Sequence, residues 1–144
     1  MKNLEEIISL LKTKRQVNKS DYFANTAKIL EFENVLKIPL PQDFKIFYQN
    51  FNGFDFNDEF MLRIVPIKEL EITENNNTNV EITFAEFMIY SDIWILKYTN
   101  SSYRISHLSG VELTNNLSEF IERCMKGGVL NPGGLYEWEK EKTK

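Results

Sequence analysis

The chain has 144 residues, 42% hydrophobic and 26% charged, which suits one soluble domain with its own core and is too short for two. One cysteine, Cys124, and one histidine, His107, exclude an internal disulfide framework, Cys-rich zinc sites and His-clustered metal chemistry. The net charge of −4 hides a segment, residues 55–92, that carries −7 between ends of +2 and +1. This acidic balance argues against direct contact with nucleic acid, which needs clustered Lys and Arg.

Residues 1–15 contain an apolar run interrupted by Glu5 and Glu6. It reads as neither a secretory signal nor a membrane span, and a cytoplasmic protein is expected. Leu4, Ile7, Ile8 and Leu11 have the spacing of a first helix capped by Asn3. A second helix is expected from Ser20-Asp21 to Leu36, with Phe23, Ala27 and Leu30 on one stripe. Pro39 and Pro41 break it, and Pro41 suits the first turn of a third helix carrying Phe44, Phe47, Tyr48 and Phe51. Asn52-Gly53 closes that helix.

Beyond Gly53 the period changes. Phe54 to Phe60 reads as an acidic loop, Met61 to Ile67 as a short strand, and Ile67 to Glu71 as one helical turn. Asn75 to Asn79 is a polar loop. Residues 82–90 read as one strand, with Ala85, Phe87 and Ile89 on one face and Phe84, Glu86, Met88 and Tyr90 on the other. Strands at Ile93–Tyr98 and Tyr103–His107 follow, joined by tight turns, then a short Val111–Leu113 segment. A last helix from Asn115 to Lys126, capped by Thr114, carries Leu117, Phe120, Ile121, Cys124 and Met125 and ends at Gly127-Gly128. The tail from Leu135 is expected to fray. Helices, then a run of strands, then a helix indicate an α+β domain: N-terminal helices on a central antiparallel β-meander with a C-terminal helix.

The chain carries no glycine-rich phosphate loop and no Gly-x-Ser-x-Gly elbow. His107, on a strand near a turn, reads as a surface or hydrogen-bonded residue rather than a base, and Cys124 as a small core residue. Asp55, Asp58 and Glu59 do not match the spacing of a calcium loop, and a solvated loop is the simpler reading. Phe54 and Phe56 either fold back on the core or offer anchors to a partner. Glu86 is read on an open strand face, where it and Asp92 extend the acidic surface. If that face is covered, Glu86 needs a donor such as Arg104, Tyr90 or Tyr98. The candidate partner-contacting residues are therefore Phe54, Asp55, Phe56, Asp58, Glu59, Glu86 and Asp92.

The series Ile29, Phe32-Glu33, Leu36, Leu40-Pro41, Asp43-Phe44-Lys45, Phe47 and Asn52-Gly53 resembles the N-terminal signature of the SUKH superfamily. Residues 84–90 resemble that family's central strand. Leu117-Ser118-Glu119-Phe120-Ile121 resembles its final helix, with Leu117 where Phe is more usual. The resemblance covers most of residues 25–126. It implies a non-catalytic binding domain, as in fungal regulators of cell-wall assembly and in bacterial immunity proteins that neutralise a toxin encoded beside them. Its motif residues are mainly structural.

The resulting expectation is a monomeric or weakly dimeric immunity protein, with no catalytic residue and no cofactor or metal. It would bind a cognate, basic toxin, such as a nuclease, and would contact neither nucleic acid nor membrane directly. A general adaptor domain with another protein partner is the alternative, followed by a carboxylate enzyme.

Overall fold

The computed structural model describes residues 2–14, 26–57, 62–76, 78–99 and 102–144. Three helices come first: α1 (Leu4–Lys14), α2 (Thr26–Leu36) and α3 (Gln42–Asn50). The expected start of the second helix, at Ser20, Asp21 and Phe23, lies outside the described residues. Seven strands follow: β1 (Phe54–Asn57), β2 (Leu62–Ile64), β3 (Glu71–Asn75), β4 (Val80–Phe87), β5 (Asp92–Tyr98), β6 (Tyr103–His107) and β7 (Glu112–Thr114). A 3₁₀ turn, Ile67–Glu69, lies between β2 and β3, and helices α4 (Leu117–Gly127) and α5 (Leu135–Thr143) close the fold. The α+β class, with N-terminal helices, a central run of antiparallel strands and a helix after them, is the one expected from the sequence.

All strand pairs are antiparallel, in the order β1-β2-β4-β5-β6-β7, with β3 beside the first half of β4. Directly opposed residues share a face, so the register sorts the sheet into cross-strand rows. On the inner face one row is Phe54, Ile64, Ala85, Trp94 and His107, and the next is Ile72, Ile82, Leu96, Ile105 and Thr114. Helices α3 and α4 pack there: Phe44 meets Phe84 edge-on at 5.2 Å, and Phe120 lies 5.2 Å from the same ring. A bulge at Phe84 breaks the simple alternation read for residues 82–90, so Phe84 and Ala85 both serve the core.

Four expectations are corrected. Phe54–Asn57 is an edge strand rather than a loop, because Phe54 pairs with Ile64 and packs on Phe51 at 5.3 Å. Glu71 and Asn75, read as the end of a helical turn and the start of a polar loop, bound a strand in which Ile72 is the one apolar residue. The last-but-one helix is capped by Asn116, whose side chain accepts from the Glu119 N–H, while Thr114 donates to the Glu119 carboxylate at 2.5 Å. The tail does not fray: it forms α5, with Leu135 and Trp138 buried.

The signature residues are consumed by the fold. Glu33 accepts from the Leu40 N–H at 2.7 Å and faces Lys45 at 3.4 Å, tying α2 to the Leu-Pro turn and α3. Asp43 accepts from the Tyr103 hydroxyl, which in turn accepts from the Leu117 N–H at the start of α4. Asn52 accepts from the Ile67 N–H at 3.0 Å. Gly53 has φ +86, and a Cβ there would lie 2.8 Å from the Ile64 carbonyl oxygen, so the closing position needs glycine.

Candidate functional site

The sheet's outer face is turned away from α3 and α4. Its first row is Asp55, Arg63, Glu86 and Ile93; its second is Glu71, Thr83, Ile95, Ser106 and Glu112; its third is Glu74, Glu81, Lys97 and Arg104. Five of the nine carboxylates of residues 55–92, those of Asp55, Glu71, Glu74, Glu81 and Glu86, lie in these rows, because they alternate with inward-facing residues along β1, β3 and β4. On the β1-to-β4 side, among the described residues, Arg63 is the one cation in these rows. Lys97 and Arg104 sit on the other side, 3.4 Å from Glu81 and 3.1 Å from Glu112.

Arg63 organises the acidic side. Its Nε donates to Glu86 at 2.6 Å and its Nη2 donates to Glu69 at 2.9 Å. The hydrogen bond from Arg63 holds the Glu69 carboxyl below its ordinary value of 4.5, and the same contact raises the guanidinium further. Glu86 is 4% exposed, so it is not on an open surface, and its reading as a free acidic contact is corrected. Burial requires partners for a carboxylate, and they come from Arg63 and the Tyr90 N–H (2.5 Å).

Asp92 is also committed elsewhere. It lies in the inner-face row with Phe87 and accepts from the Tyr136 hydroxyl of α5 and from His107 Nε2 at 2.6 Å. His107 Nδ1 lies 2.8 Å from Glu139. This network fastens α5 to the sheet; it does not extend the outer acidic face.

The candidate residues thus divide. Asp55 is exposed on the outer face beside Arg63 and Glu86. Phe54 is buried and Phe56 leans on it at 5.2 Å, so the fold-back alternative describes this aromatic pair. Asp58 and Glu59 lie outside the described residues. Arg63 was not among the candidates. Its signal was a lone cation between apolar residues in a strongly acidic stretch.

The loop joining β4 to β5 also departs from the sequence reading. Residues 88–90 read as strand, yet Met88, Ile89 and Tyr90 have φ of 52, 55 and 61 and are 49%, 78% and 41% exposed.

A family model, described as SMI1 / KNR4 family (SUKH-1), matches residues 24–123. The chain belongs to this family. Comparisons with curated proteins and with solved structures return no match. The SUKH-1 match spans α2 through most of α4, so it takes in Glu33, Asp43, Asn52 and Gly53, each accounted for above by a structural contact. The outer-face rows and the β4–β5 loop take part in none of these four contacts. No described helix is long and apolar enough to cross a membrane.

Proposed function

We propose that this SUKH-1 chain is a non-catalytic binding protein of the bacterial immunity type. It binds a cognate toxin, a basic protein such as a nuclease, and neutralises it by occlusion. The observation that supports this reading is the acidic outer face of the sheet, on a scaffold whose family signature is spent on folding. Carboxylates such as Asp55, Glu71 and Glu74, all exposed, stand where the toxin would otherwise meet substrate phosphates. Complementary potential speeds encounter and fixes orientation more than it adds affinity.

The test is co-expression with the toxic protein encoded beside this chain. The reading predicts survival of the host and a complex on a sizing column. Unchanged killing with no complex would refute it. Within a confirmed complex, added salt lowers the association rate more than it raises dissociation; an association rate indifferent to salt would remove the electrostatic part.

A further inference from the structure

Between Phe87 and Asp92, which pair as the last rung of β4 and β5, the chain turns through Met88, Ile89, Tyr90 and Ser91. Three successive L-residues there hold left-handed backbone, a conformation that glycine and asparagine adopt more readily and that a β-branched residue such as Ile89 resists. A hairpin loop chosen for geometry alone would carry Gly or Asn. One chosen for packing would bury its apolar side chains, but Ile89 is 78% exposed. Neither requirement explains Met-Ile-Tyr at this position.

The loop is nevertheless held in place from below. Its Tyr90 N–H donates to the buried Glu86 carboxylate, and the Arg63 guanidinium lies 5.9 Å from the Tyr90 ring centroid. Ser91 closes it by donating from both N–H and hydroxyl to the Met88 carbonyl. The exposed Leu108 lies at the same end of the sheet, its N–H bonded to the Ile93 carbonyl. A convex apolar projection on a braced base is the shape of an anchor that enters a cleft.

Charge selects the cleft. The groups bonded around the base of the loop are the carboxylates of Glu69, Glu86, Asp92 and Glu139, against the guanidinium of Arg63 and the imidazole of His107. The surroundings are therefore net negative, and they adjoin the acidic outer face. We propose that Met88, Ile89 and Tyr90 form the anchor by which this chain docks into an apolar cleft rimmed by Lys and Arg on its protein partner. This rests on the reading of the chain as a toxin-binding protein and names the contact that reading lacks.

The experiment measures the affinity of the full chain for the purified toxic protein encoded beside it, together with thermal unfolding. Ile89→Gly deletes the anchor while relieving the backbone. It is expected to keep or raise the melting temperature and to weaken binding at least about tenfold, as loss of a buried interface anchor does. Ile89→Asn, also suited to left-handed backbone, is expected to behave alike, which covers any folding failure of the glycine variant. Leu130→Ser removes another exposed apolar side chain, 63% exposed, from the turn before α5 and is expected to leave affinity unchanged.

If the parent chain binds and both Ile89 variants bind within twofold of it, the anchor is refuted while the binding reading stands. If the parent chain does not bind, that reading falls and the anchor falls with it. If the parent chain is a dimer that Ile89→Gly makes monomeric, the loop serves self-association and the proposal is overturned.

Discussion

Arg63, inside an otherwise apolar strand, donates to the buried carboxylate of Glu86 directly across the β2–β4 pair at 2.6 Å. The pair links the acidic face to the β4–β5 loop, because the same carboxylate receives the Tyr90 N–H. Arg63→Met leaves Glu86 buried without its counter-charge. The expected cost is about 3 kcal/mol in urea unfolding. Adding Glu86→Gln, which keeps an acceptor for Tyr90, should then cost less than it does alone. Strictly additive effects would show that the two side chains are not coupled.

Acid should weaken the same cluster through Glu69. Its folded value is depressed by the Arg63 hydrogen bond, so its stabilisation is fully present above the ordinary value of 4.5 and is lost as pH falls through the folded value. In urea melts at several pH values, Glu69→Gln is expected to be less stable than the parent near neutrality. The gap should close on acidification. A gap that stays constant or widens in acid would contradict the assignment.

Gly53→Ala should be destabilising by roughly 2 kcal/mol or more. An L-residue at φ +86 is disfavoured, and the new Cβ would meet the Ile64 oxygen and the Pro66 nitrogen, both backbone atoms with little room to yield. Equilibrium unfolding of the purified variant checks this. A loss of only a few tenths would mean the turn after α3 relaxes freely.

Helix α5 is an integral layer of the fold. Trp138 is 2% exposed and carries the Arg123 guanidinium 5.0 Å from its ring, while Tyr136 reaches Asp92 on the sheet. Trp138→Ala should cost roughly 3–5 kcal/mol, the range for emptying a large buried aromatic site. Hydrogen exchange should show α5 amides protected in the parent chain. A free exchange rate there, or a negligible cost, would restore the frayed tail expected from its Glu/Lys-rich sequence.

Local periodicity made much of the fold legible. The apolar stripes of α1, α3 and α4 and the alternation in β5 and β6 are properties of neighbouring residues. What escaped was decided by distant partners. Phe54 gives no sign of a strand until Ile64 pairs with it. Glu86 looks like a surface acid until Arg63, 23 positions earlier, arrives across the sheet. Leu135 and Trp138 alone in a charged tail carry too few apolar positions to announce a helix. Met88, Ile89 and Tyr90 misled in the opposite way, since their strand propensity is high and their left-handed backbone contradicts it. The charge segregation was legible, but the placing of Asp55, Glu71, Glu74, Glu81 and Glu86 on one sheet face needed the register.

If, as proposed, this SUKH-1 chain neutralises a toxin by binding rather than by chemistry, inhibition is stoichiometric. The most direct measurement titrates the purified chain into a fixed amount of the purified toxin and follows residual toxin activity after different incubation times. The account predicts inhibition that completes at equimolar chain, does not deepen with time, and is reversed when the complex is dissociated. Progressive inactivation by a small fraction of an equivalent would mean turnover and would contradict it.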